Sequence, residues 1–240
     1  MEPLTLLFLL LAGWLAATVS GVAGFGGALL LLPVLTNLLG VQAAVPILTI
    51  AQLWGNGSRV WFGRKEIRWR PVVYFSATAV PLSLIGGRLL VEAPKQLITA
   101  AIGLLLIAIV ILRRSGRKRF QVGERGLLVG GGLTGFLSGL VGSAGPLGAA
   151  FFLGLNLPAG AYVASEAVTA VAMHLTKSLV YQRFALIGPT ELTYGLLLGL
   201  SMVAGSWSGK RLIDYLPPAK FALLVEVLLV ISAVQLIFFS

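Results

Sequence analysis

The 240-residue sequence has no cysteine, one histidine and eight acidic residues. Without thiols, disulfides, thiolate metal sites and cysteine nucleophiles are excluded. One histidine argues against a protein-only zinc site, which takes three or four ligands. Charged residues are only 11% of the chain, against roughly a quarter in a soluble domain, too few to cover a folded surface in water. Apolar residues, by contrast, make up 58% and the mean hydropathy is +0.96. The expected solvent for most of the surface is lipid. The formal charge of +10 would suggest nucleic acid in a soluble protein, but here the basic residues sit in short gaps between apolar runs. They therefore read as membrane topology, and nucleic acid is not an expected partner.

A membrane-spanning helix needs about 20 mostly apolar residues. Ten apolar stretches are visible, near 4–20, 25–39, 41–62, 71–90, 95–112, 126–142, 145–157, 160–182, 190–208 and 219–239. The pairs 4–20/25–39 and 126–142/145–157 are short and glycine-broken, as expected of re-entrant or half-helix hairpins. The N-terminal stretch carries Glu2 where a signal peptide has basic residues, so it is expected to be the first membrane segment. The gaps 59–70, 113–125 and 209–220 hold 14 of the 18 basic residues and fall on one side of the membrane. The positive-inside rule makes that side cytoplasmic and leaves both termini outside, in a multi-pass protein of the inner (plasma) membrane.

The sequence also repeats. Ser20-Gly-Val-Ala-Gly-Phe-Gly-Gly27 lies over Ser138-Gly-Leu-Val-Gly-Ser-Ala-Gly145 at a spacing of 118. The same spacing sets Asn56 on His174, Ser58 on Thr176, Arg59 on Lys177 and Pro71 on Pro189, and Gly87-Arg88 resembles Gly209-Lys210. The expected organisation is a first repeat, 1–112, a cytoplasmic basic linker, 113–125, and a second repeat, 126–240. Each half has five segments, an odd number, so the second enters the membrane inverted. The expected fold class is an all-α membrane protein of two inverted-topology repeats, the architecture of secondary transporters with a midplane site.

The motif G-x-x-G-x-G-G, the leucine run with Pro33 that follows it, and the glycine-broken hairpin opening each half resemble the TauE/SafE family of sulfite and organosulfonate exporters. The resemblance covers nearly the whole chain. It implies a carrier of small sulfur-containing oxyanions such as sulfite, sulfoacetate or other sulfonates. The second motif departs from the pattern at Ser143-Ala144 and adds Pro146.

A helix that restarts after a glycine break presents free backbone N–H groups and the positive end of its dipole, a ready anion site. This points to Gly24, Gly26, Gly27, Gly142 and Gly145 as substrate-binding, with Ser20, Ser138 and Ser143 as hydroxyl donors. Gly131 and Gly135 fit close helix packing better. Ionisable residues at membrane depth face the interior and need a reason. Asn56, Arg59, Thr176 and Lys177 are the expected polar and cationic ligands, and Glu166 and His174 the expected proton carriers. Glu166, Thr169, Met173, Thr176 and Lys177 share one helical face. The plainer alternative has Arg59 and Lys177 snorkelling to the interfaces. Trp54, Trp61, Trp69 and Trp207 suit an aromatic belt.

The expected function is a secondary transporter exporting such oxyanions with proton coupling. An anion channel and a membrane-embedded hydrolase remain alternatives, although no G-x-S-x-G elbow is present. No enzymatic activity, cofactor or metal is expected. The expected partners are the oxyanion, the lipid bilayer and, as an option, a second copy in a homodimer.

Overall fold

The computed structural model describes residues 2–89, 122–141, 144–183 and 187–217, and part of 219–234. The basic stretch 113–121, Gly142, Ser143 and Glu226 lie outside the described residues. Seven helices can be bounded: α1 (Pro3–Ala23), α2 (Gly27–Phe62), α3 (Trp69–Leu89), α4 (Glu124–Val141), α5 (Gly145–Leu153), α6 (Ala159–Arg183) and α7 (Pro189–Ile213). There is no strand among the described residues.

Local chemistry sets the boundaries. Pro3 and Pro189 occupy first-turn positions of α1 and α7, where proline lacks an N–H that would go unused anyway. α1 ends at Gly24, whose φ of 83° is left-handed and whose N–H returns to Ser20 O at 2.8 Å. Gly26 follows at φ 104°, so two glycines reverse the chain where a side chain would be strained. Within α2, Gly40 takes φ 76° and ψ 161°, a kink that separates the two apolar stretches read as 25–39 and 41–62.

The two opening hairpins are unequal. α1 has 21 residues and a stretch of mean hydropathy 2.1, and is long and apolar enough to cross a membrane. No other helix among the described residues meets the same length-and-composition test. α5 has nine residues, about 14 Å at 1.5 Å per residue, and is a half-helix. Val122 N–H donates to Gly154 O at 3.3 Å, so the chain leaves α5 beside the point where it entered α4.

Helix packing is reciprocal. α1 lies against α7 and α4 against α3, while α2 and α6 pack together between them. Small residues permit both outer contacts. A Cβ on Gly21 would stand 3.0 Å from Gly209 Cα, and one on Gly139 would overlap the backbone at Ser83 and Gly87. Cβ atoms on Gly131 and Gly135 would strike the carbonyl oxygens of Phe75 and Ala79, the close packing expected of a small-xxx-small series.

The polarity of the molecule is inverted relative to a soluble protein. Leu4 is 79% and Leu179 71% exposed, while Arg59 is 5% and Lys177 0% exposed. Outward apolar faces around buried charges are what a lipid solvent selects. Trp54, Trp61, Trp69 and Trp207 all face outward, and the guanidinium groups of Arg64 and Arg211 stack over Trp61 and Trp207 at 4.6 and 4.2 Å.

Candidate anion site

Gln52, Asn56 and Arg59 recur at i, i+4 and i+7, so they lie along one face of α2, and all three are buried. Arg59 reaches across to the end of α1. Its Nη1 donates to Ser20 O at 3.1 Å and to Gly24 O at 2.5 Å. These carbonyls lie at the C-terminal end of α1, where Ser20 O also accepts from Gly24 N–H, and the cation offsets the negative end of the helix dipole. Arg59 Nη2 donates to Asn56 Oδ1 and forms an ion pair with Glu166 Oε2 at 3.5 Å. Glu166, on α6, is 3% exposed. Neither Arg59 nor Lys177 snorkels to an interface; both point inward.

Tyr162 completes the end of α1. Its hydroxyl donates to Ala23 O at 2.9 Å, and its ring fills the place a Gly24 Cβ would take. At Gly26 the space is open, with Val19 Cγ1 4.0 Å away, so only the backbone demands glycine there. Gly27 is crowded: a Cβ would meet Gln52 Nε2 at 3.1 Å and both Met202 Cε and Ser20 Cβ at 3.5 Å.

The second half has its own pair. Lys177 Nζ donates to Ser138 Oγ at 3.1 Å. Ser20 to Arg59 and Ser138 to Lys177 are both separations of 39 residues, and both join the end of the first helix of a half to the long helix that follows. Thr176 Oγ1 is committed to Ala172 O at 2.8 Å on its own helix. His174 Nδ1 and Tyr181 OH are buried with no hydrogen-bond partner among the described residues. The glycine breaks themselves come together: a Cβ on Gly145 would lie 3.7 Å from Phe25 Cβ.

The helix starts offer different numbers of donors. No side chain caps α2, and Leu30 N–H is the first to bond back, to Gly26 O at 3.0 Å. The N–H groups of Gly27 and Ala28 therefore have no intrahelical acceptor. In α5, Pro146 has no N–H, and Leu147 and Gly148 both donate to Ala144 O at 3.1 and 3.3 Å. Only Gly145 remains.

A narrow crevice with about 10 Å³ of accessible space lies beside Arg59 at the α2 C-terminus, lined also by Gly21, Phe62, Val163, Ser206 and Lys210. At its mouth Lys210 Nζ bonds Glu66 Oε1 at 2.8 Å and Asp214 Oδ1 at 3.0 Å. No cluster of three or more metal-ligating side chains occurs among the described residues.

Gln52 and Tyr162 had no assigned role in the sequence reading. For Gln52 a signal was available, the shared face with Asn56 and Arg59. For Tyr162 there was none, because its partner Ala23 is distant in the chain.

Helices throughout the described residues, apolar side chains turned outward and charged ones buried together define an all-α membrane protein with an interior polar site. The family comparison narrows this class. The family model described as Sulfite exporter TauE/SafE matches residues 9–236, and the chain belongs to that family. It is a membrane transporter concerned with sulfite or related sulfur compounds. No curated protein and no solved structure matches the chain.

Proposed function

We propose that the chain is a proton-coupled secondary transporter that exports small sulfur oxyanions such as sulfite, sulfoacetate or other organosulfonates. The anion sits near the bilayer midplane, between the two glycine breaks. The observation that carries this reading is the meeting of the breaks at Phe25 and Gly145, with a buried cation of each half bonded to the helix that precedes its break, Arg59 to the end of α1 and Lys177 to Ser138 on α4. The N–H groups at the start of α2 supply donors to anion oxygens, with Ser20 and Ser138 beside them and Gly142 and Ser143 contributing from the second motif. Lys177 supplies positive charge. Arg59 holds the end of α1 and shares its charge with Glu166 through the ion pair. Glu166 and His174 are the proton carriers.

Reciprocal packing supports the two inverted repeats, 1–112 and 126–240, joined by a basic linker, 113–125. Exchanging the halves turns the contact of α1 with α7 into that of α4 with α3. Such repeats let one half rock against the other around a fixed site. The basic loops, and with them the Lys210 cleft, lie on the cytoplasmic side of the plasma membrane, with both termini outside.

The test is flux. Purified protein in liposomes, given an outwardly or inwardly directed pH gradient, is expected to move sulfite or a sulfonate saturably and against its concentration. Flux that only dissipates the anion gradient identifies a channel. A product formed from the anion identifies an enzyme. Failure of a panel of such anions to move, in demonstrably folded protein, overturns the proposal.

A further inference from the structure

Gln52 is 4% exposed, and its Nε2 has no hydrogen-bond partner among the described residues. That nitrogen lies 3.1 Å from the position a Cβ would occupy on Gly27, the first residue of α2. A buried donor without an acceptor is costly to maintain, and here it stands beside a helix start whose N–H groups also lack intrahelical acceptors.

The neighbouring bonds determine which end of the amide faces the glycine. Arg59 donates to Asn56 Oδ1, so that oxygen is an acceptor and the other end of the Asn56 amide is its nitrogen. Asn56 Nδ2 in turn donates to Gln52 Oε1 at 3.5 Å. A side-chain amide has one acceptor end and one donor end, so Nε2 is left pointing at Gly27. The bonds run in one direction, from the guanidinium through two amides to an unanswered donor. Each polarises the next, so the charge of Arg59, near the end of α2, is felt at the start of that helix while the guanidinium stays on the Ser20 and Gly24 carbonyls.

We propose that Gln52 is a direct ligand of the transported anion, donating from Nε2 to one oxygen while the Gly27 and Ala28 N–H groups hold another. This rests on the oxyanion-transporter reading above and adds to it a side-chain ligand. The occupant is a small oxyanion with at least two acceptor oxygens on one centre. Met202 Cε and Ser20 Cβ, each 3.5 Å from the same Gly27 position, limit its width.

The experiment measures initial sulfite flux against sulfite concentration, with sulfoacetate as a second probe, in liposomes containing the full chain. Gln52→Met removes both donors at similar volume and is expected to raise the half-saturation concentration for sulfite about tenfold, with the maximal rate nearly kept, as for loss of a charge-assisted bond. Gln52→Glu puts an acceptor in the same shape and is expected to abolish flux. Gln52→Asn keeps the donor one methylene short and is expected to fall between wild type and Gln52→Met. Wild-type half-saturation in the Met and Glu variants overturns the assignment. So does a fall in maximal rate and melting temperature together with unchanged half-saturation, because that pattern marks a packing residue. If wild type transports and only the Gln52 predictions fail, the transporter reading stands without this ligand. If wild type moves neither sulfite nor sulfoacetate, the function reading falls and the assignment with it.

Discussion

The two halves place a buried cation at related positions but surround it differently. Arg59 is locked between the end of α1, Asn56 and Glu166, whereas Lys177 reaches Ser138 through a hydroxyl. The start of α2 presents at least two backbone N–H groups without intrahelical acceptors, and the start of α5 presents one. A repeat in sequence thus yields unequal half-sites. Gly24 and Gly26 open the backbone in the first half, and Pro146 removes a donor in the second. On the proposed reading, the first half holds anion oxygens by directed hydrogen bonds and the second supplies charge.

Breaking the first half is expected to have the largest effect. Arg59→Ala strands Glu166 as an uncompensated buried charge and uncaps α1, costing about 3–5 kcal/mol, read as a collapse of the detergent melting temperature together with lost flux. Gly24→Ala comes next, because it meets both a left-handed backbone and the Tyr162 ring. Gly26→Ala meets the backbone alone and is expected to cost about 1–2 kcal/mol. Equal melting temperatures for the two would show that Tyr162 yields freely.

Lys177→Ala probes the other half through affinity. Sulfite binding is expected to weaken about tenfold, or roughly 1.4 kcal/mol, in an isothermal titration, and unchanged affinity would remove Lys177 from the site. The smallest effect is expected at the cleft mouth, where Lys210→Ala breaks a half-exposed pair worth about 0–1 kcal/mol. A large loss of stability there would mean that the Lys210 to Glu66 contact holds the helices together.

The parts of the fold written in local pattern were readable from the chain. Gly24 and Gly26 mark a break because few other residues take φ above zero, and Gly131 and Gly135 mark close packing because of their four-residue spacing. The common face of Glu166, Thr169, Met173, Thr176 and Lys177 follows from helical period, and all five are buried. Pairings between distant segments were not readable. Arg59 and Glu166 were assigned separate tasks, as anion ligand and proton carrier, yet they face each other as an ion pair. Helical period places each on a face and says nothing of which face meets it. Which helix packs on α1 was not readable either: Gly13 and Gly21 lie inside it and face α7.

The claim at the centre is that one anion sits where the two glycine breaks meet, and the direct measurement is a structure of the protein in lipid with sulfite bound. Density for one anion is expected between Gly27 and Gly145, within hydrogen-bond distance of Gln52 Nε2 and of the first N–H groups of α2. Sulfite found only in the Lys210 cleft or at the lipid-facing surface, with the space between the breaks filled by side chains, would contradict it.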